Sequence, residues 1–335
     1  MLYITTKTDK DAFTAYKALH NNTASDGGMY VPFRFPVYTT EDIYGLKEKS
    51  FNQIVADILN SFFSCRLTGW DVDFCIGRNS YRIADAGNKV VVAELWHNLA
   101  TNYSFTVKKL YEQITQTTDT PTDWFCIAVE IAILFGIYVE LLKSKELNTA
   151  QNIDISVQTG DFHPAISAWY ARKMGLPIGT IICSSNGDGI IWDFLHRGTF
   201  STASAATELK NTVSRLIQGS FGYSAVEDFL AKSEKSHAYV VDEELLTVLN
   251  DGFFCSVIGE DRSASVMNSV YRNSSYIMDP ESALCYGGLQ DYRAKTGNNH
   301  LTMLLSRESA LHHSKKVTEA TGLTGDQLSK LVNHF

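Results

Sequence analysis

The apolar residues Phe51, Ile54, Val55, Ile58, Leu59 and Phe62 recur at intervals of three and four, which predicts a helix from Phe51 to Phe63. Upstream, Asp26-Gly27-Gly28 reads as a turn. The following MYVPFRFP reads as extended, because Pro32 and Pro36 exclude a helix interior. The stretch from Gly69 to Gly87 shows no period and reads as loop. After Lys89 the rhythm changes. Val90 to Trp96 is a β-branched run bounded by turn residues, a buried strand by its composition. Helical spacing returns from Phe105 to Ile114 and breaks between Thr118 and Pro121, and a long apolar helix starts near Asp123. Its core, Cys126 to Leu142, is interrupted by Glu130 and Glu140 and is short for a membrane span, so it reads as a buried core helix.

From Ile153 the order becomes strand (Ile153–Val157), turn (Thr159-Gly160-Asp161), helix (Pro164–Met174), turn (Gly175, Pro177) and strand (Ile178–Cys183). That order is a crossover unit of a parallel sheet. Residues 207–250 read as helical. Asp279 is placed to cap a helix that has Pro280 at its first position and runs to about Lys295. A strand from His300 to Leu305 and a helix to Thr321 follow. The fold class is therefore α/β, a mostly parallel sheet with flanking helices, preceded by a small N-terminal α+β domain. In such sheets ligands bind outside the carboxyl ends of the strands. Here those ends are Gln158–His163 and Ser184–Asp188.

Composition narrows the function classes. With 335 residues, 44% of them hydrophobic, the chain is long and apolar enough to bury a sizeable core. A net charge of −8 without a basic cluster argues against nucleic acid as a partner. The six cysteines, Cys65, Cys75, Cys126, Cys183, Cys255 and Cys285, form no CxxC pair and read as reduced, mostly buried residues of a cytoplasmic protein. Metal-site, P-loop, GxGxxG and GxSxG patterns do not occur.

Four blocks carry a resemblance. Leu2-Tyr3-Ile4-Thr5-Thr6 with Ala24 to Pro32 resembles "Y-x-S-T-R … DGGLYVP", and Glu94-Leu95-Trp96-His97 resembles the start of "ELFHGPTLAFKD". QTGDFHPAISAWYARKMGLP (Gln158–Pro177) resembles "PTGNFGNILAGYYAKKMGLP", and Tyr276 to Ala283 resembles "YxxDPHTA". In order along the chain, these identify a resemblance to the threonine synthase family, fold-type II enzymes of the tryptophan synthase β-like group that use pyridoxal phosphate (PLP). The resemblance implies an N-terminal domain over residues 1–90 and a large α/β domain over 91–335.

The departures lie where the family's chemistry sits. The family lysine, which forms an imine with PLP, falls on Ser104, or on Thr106 if the register follows Phe105. Lys108 and Lys109 are near, but a displacement of two to four residues is expected to change the face of the helix. The smaller domain with its "TSGDTGSAA" loop has no counterpart; the deficit lies between Ser104 and Asp123. The family's "GNFGN" turn, whose amides hold the cofactor phosphate, corresponds to Gly160-Asp161-Phe162-His163-Pro164 after Thr159. Its last amide is lost to Pro164 and Asp161 adds negative charge; the bland reading is a strand–helix turn with Asp161 as cap. Ser306 stands at the pyridine-nitrogen partner of "TAHPAKF", and Asn186 at the asparagine of "ATNEND".

The implied function is a threonine synthase-like pseudoenzyme that has lost PLP-dependent O-phosphohomoserine lyase activity and acts by binding. The anion-binding candidates are Thr159, Gly160, Asp161, Phe162, His163, Asn186 and Ser306. One alternative is a PLP-independent enzyme acting on an amino-acid or phosphorylated substrate, with Asp161 and His163 as acid and base, and with His97 and His196 near them. The other is an active lyase using Lys108 or Lys109; otherwise no cofactor is expected. The surface left by the missing domain should be apolar and covered by a homodimer partner or another protein. A small anionic ligand is the expected small molecule, and neither nucleic acid nor membrane is expected.

Overall fold

The structure is a computed structural model, and it describes residues 1–78, 81–96, 103–160, 162–187 and 189–333. The N-terminal region holds β1 (Leu2–Thr5), β2 (Phe13–Thr14), α1 (Ala15–His20) and β3 (Tyr30–Pro32), with the strands in an antiparallel sheet of order β2-β1-β3. Then come α2 (Thr40–Gly45), α3 (Phe51–Phe63) and α4 (Gly69–Ile76). Each of these three helices starts on a capping box: Thr39 with Asp42, Ser50 with Gln53, and Thr68 with Asp71. In each, the cap hydroxyl takes one orphan amide while the third residue returns a bond to the cap's own amide.

The chain continues through β4 (Arg82–Gly87), β5 (Val90–Glu94), α5 (Tyr103–Thr115), α6 (Asp123–Lys143), β6 (Ile153–Gln158), α7 (His163–Lys173), β7 (Ile178–Ser185) and α8 (Ile190–Arg197). Next are β8 (Thr199–Ser201), α9 (Thr207–Phe221), α10 (Tyr223–Ser236), β9 (Ala238–Val240), α11 (Glu243–Gly252) and β10 (Phe253–Val257). The chain closes with α12 (Glu260–Ser274), α13 (Pro280–Thr296), β11 (Thr302–Ser306), α14 (Ser314–Thr321) and α15 (Gly325–Asn333). The large sheet has the order β10-β7-β6-β11-β5-β4. Five of its strands are parallel, and β4 closes one edge antiparallel to β5.

The fold is thus the expected mostly parallel α/β sheet with a small N-terminal region. The loop expected over Gly69–Gly87 is corrected: it contains α4 and β4. The strand β4 (RIADAG) carries no apolar alternation because it is an edge strand, half-covered on its outer side.

Two apolar clusters flank the large sheet. The larger one runs from Tyr3 through α3, α6 and α7 to Met303, so the N-terminal region and one face of the sheet share a core. α6 is wrapped by α3 and α7 and is buried almost throughout. The other cluster joins α12, α13, α14 and α15 to the opposite face. The six cysteines form no disulfide, and four of them are buried. Residues 116–122 alone link α5 to α6.

Candidate functional site

The carboxyl ends of β6 and β7 lie side by side, and the Thr159 amide donates to the Ser184 carbonyl at 3.0 Å. The chain then turns through Phe162, which has φ 64° and forms the N-cap of α7 without a side-chain cap bond. A left-handed conformation costs a bulky residue about 1–2 kcal/mol. Here full burial of the Phe162 ring, 6.1 Å from that of Phe253, offsets it. The reading of Asp161 as the cap is corrected, since Phe162 holds that place; Asp161 itself lies outside the described residues, as does His97.

The Gly160 amide is already taken. It donates to Oε1 of Gln158 at 2.9 Å, and a Cβ at position 160 would stand 2.8 Å from the same oxygen. Thr159, Gly160 and Asn186 line a cavity of about 100 Å³ together with Gln158, Ser184 and Glu281. That volume holds about three waters. Burial raises the Glu281 carboxyl above its ordinary pKa, and nearby Asp279 adds to the rise. An acid has therefore entered the place expected to hold an anion.

Ser306 ends β11, and its hydroxyl is engaged on both sides. It accepts from the Trp96 indole nitrogen at 3.0 Å and donates to Oδ2 of Asp279 at 2.8 Å. Asp279 also caps α13, accepting from the amides of Glu281 and Ser282. One strand away, buried Glu94 is held by Nε of Arg82 at 2.7 Å and by the Tyr276 hydroxyl at 3.0 Å. Burial lifts the Glu94 pKa, and Arg82 opposes the rise. Glu94, Trp96, Tyr276 and Asp279 come from two sequence blocks that the fold joins into neighbouring networks.

A third space lies beside α5. Ser104 and Lys108 line a cavity of about 340 Å³ with Cys126, Glu130, His163 and Arg307. Four residues turn a helix by about 400°, nearly back to the starting face. The expectation that a four-residue displacement changes the face is therefore corrected: Lys108 shares the face of Ser104. Lys109 turns away to Glu112 at 2.8 Å and lies over the Phe105 ring, and Thr106 is buried. Arg307 pairs with buried Glu130 at 2.6 Å, and its guanidinium lies 5.1 Å over the Tyr103 ring. Arg307 and Glu130 escaped sequence reading as site residues; the only signal was an acid inside the apolar helix. His196 is elsewhere, on α8 against Trp192.

The residues grouped from sequence therefore divide three ways: Ser104 with His163, Thr159 and Gly160 with Asn186, and Ser306 by itself. PLP needs an amine, phosphate-binding amides and a ring-nitrogen partner facing one space. The described residues do not provide that arrangement. Among them, no group of His, Cys, Asp and Glu is placed to hold a metal ion.

Residues 2–81 match the model of the threonine synthase N terminus. Human threonine synthase-like 1 is 24% identical over 174 residues, a match spanning 48% of this chain and 23% of that protein. The chain thus matches under a quarter of that relative's length. Threonine synthase of Pseudomonas aeruginosa is 22% identical over 144 residues, spanning 40% of this chain and 31% of that protein. The PLP-bound threonine synthase of Brucella melitensis superposes with a TM-score of 0.83 at 17% identity, covering 99% of this chain and 94% of that one. Threonine synthase from yeast gives 0.78 at 14% identity, with the same coverage. The N-terminal region matches the threonine synthase N terminus, and the whole chain has the fold of the threonine synthases.

Proposed function

We propose that this chain has left PLP chemistry and acts as a binding protein for a small anionic ligand, held in the 340 Å³ cavity beside α5. The observation that carries the reading is the division of the cofactor-contacting positions into separate spaces. Two of them are already satisfied from within: the Gly160 amide by Gln158, and the Ser306 hydroxyl by Trp96 and Asp279. The third is Ser104, or Thr106 in the shifted register, and neither hydroxyl can form an imine. In the cavity, Glu130 balances Arg307, and Lys108, 4.0 Å from Glu112 on its own helix, brings an ammonium group to the lining. Ser104 adds a hydroxyl and His163 an imidazole, donors suited to a carboxylate or phosphate oxygen.

One observation favours a second reading, a PLP-dependent lyase working through Lys108: that lysine lies one helical turn from Ser104 on the same face. A single experiment separates the two. The full chain is incubated with PLP, scanned for an imine band in the visible, reduced with borohydride and mapped by mass spectrometry. We expect no band and no pyridoxyl adduct on Lys108 or Lys109. A stoichiometric adduct on Lys108 that alanine substitution removes would establish the lyase reading and overturn ours. An acid–base role for Asp161 with His163 gains no support, because Asp161 lies outside the described residues.

A further inference from the structure

The 100 Å³ cavity at the carboxyl ends of β6 and β7 has a larger neighbour. A space of about 460 Å³ is lined by residues of α12, α13 and α14, and Asn186, Glu281 and Leu284 line both spaces. They adjoin as an inner and an outer chamber, with Glu281 where they meet. Apolar Ile258, Ala264, Met267 and Leu284 wall the outer chamber, and Glu260, Asp261 and Glu319 bring acid to it. Its cations are already engaged: Lys316 with Glu260 at 3.1 Å, and His313 with Glu308 at 3.1 Å. Among the described residues, the carboxylates of Asp261, Glu281 and Glu319 have no hydrogen-bond or ion-pair partner. The inner chamber carries a second, independent sign. Ser184 is 1% exposed, and its hydroxyl has no hydrogen-bond partner. It lines the inner chamber and is turned toward α13, where a Cβ on Gly288, one turn on from Leu284, would collide with it. A buried hydroxyl without a partner is rare, because it has given up its bonds to water.

We infer that a small aliphatic amine binds across these two chambers, with its ammonium group on Glu281 and its hydrocarbon body in the outer one. An ammonium has three N–H donors and no acceptor. The inner lining offers it acceptors: the Glu281 carboxylate, the Ser184 hydroxyl and the Asn186 amide oxygen. A bond from an ammonium to a carboxylate is charge-assisted, roughly twice as strong as a neutral one. Burial and Asp279 hold the Glu281 carboxyl above its ordinary pKa, a rise that a bound cation opposes. Two observations select an amine over other cations. No group of His, Cys, Asp and Glu among the described residues is placed to hold a metal ion, and the wall of the outer chamber is hydrocarbon. An apolar wall with a few convergent polar groups is the usual form of a small-molecule site. This inference does not rest on the anion reading: the cavity is a different one and the charge is opposite, so either can fail without the other.

Isothermal titration calorimetry of the full chain with 1,5-diaminopentane, near neutral pH, tests it. We expect saturable binding with a dissociation constant under about 1 mM, and none with 1,5-pentanediol, which has the same chain length and no charge. Glu281→Gln should weaken binding by roughly 10-fold or more. Ser184→Ala should weaken it by roughly 5-fold and melt no lower than the parent, since no bond within the protein is lost. Glu234→Gln, at an exposed acid on α10, should leave binding unchanged. A diol that binds as tightly as the diamine overturns the inference. So does a Glu281→Gln or Ser184→Ala variant that binds like the parent, and so does a parent chain that takes up no diamine at about 10 mM.

Discussion

His196 rests its ring nearly flat on Trp192, with centroids 4.5 Å apart and Nδ1 3.1 Å from the Trp192 carbonyl oxygen. Burial pushes its pKa below the ordinary histidine value, the Trp192 carbonyl opposes the shift, and Lys295 and Arg197 add to it. The unfolded chain therefore takes up the proton first. The stability that neutral His196 contributes is complete above an unfolded pKa of about 6.5 and is lost as pH falls through the lower folded value. Buried Glu94 and Asp154 have raised values and act in the opposite sense, so the variant must be compared with the parent. We expect His196→Gln to flatten the fall in melting temperature between about pH 7 and pH 5. Equal slopes would remove His196 as a cause.

At the scale of elements, the α3–α6 crossing depends on a missing side chain. A Cβ on Gly136 would lie 2.5 Å from the ring of buried Phe51. Alanine gains about 1 kcal/mol of helix propensity, and overpacking a filled core costs about 1–3 kcal/mol. We expect Gly136→Ala to lower the unfolding free energy in urea by about 1 kcal/mol, and a variant more stable than the parent would show that Phe51 yields freely. Both helices were legible: the expected bounds of α3 are the observed ones, and α6 begins at Asp123. α4 was missed because its apolar residues point two ways, leaving no period; the Thr68–Asp71 capping box was the signal to read. Short β10 also escaped, since five residues without alternation carry little pattern.

At the scale of the whole molecule, the N-terminal region is fastened to the large sheet. The Tyr3 hydroxyl donates to the Phe62 carbonyl and accepts from the Trp124 indole, both at 3.0 Å, and Phe35 stacks on Tyr170 at 4.6 Å. Because one apolar cluster spans both regions, far-ultraviolet circular dichroism and tryptophan fluorescence should report a single coincident unfolding transition. Separated transitions would mean that the regions fold apart. The sequence by itself determined the helices and strands with a clear period and the blocks that resemble those of threonine synthases. These are properties of residues near one another along the chain. Only the tertiary structure decided which distant side chains meet. Trp96 and Ser306 are 210 residues apart, and Glu130 and Arg307 are 177 apart. A hydrogen bond forms only within about 3 Å, and no local pattern of residues encodes that proximity.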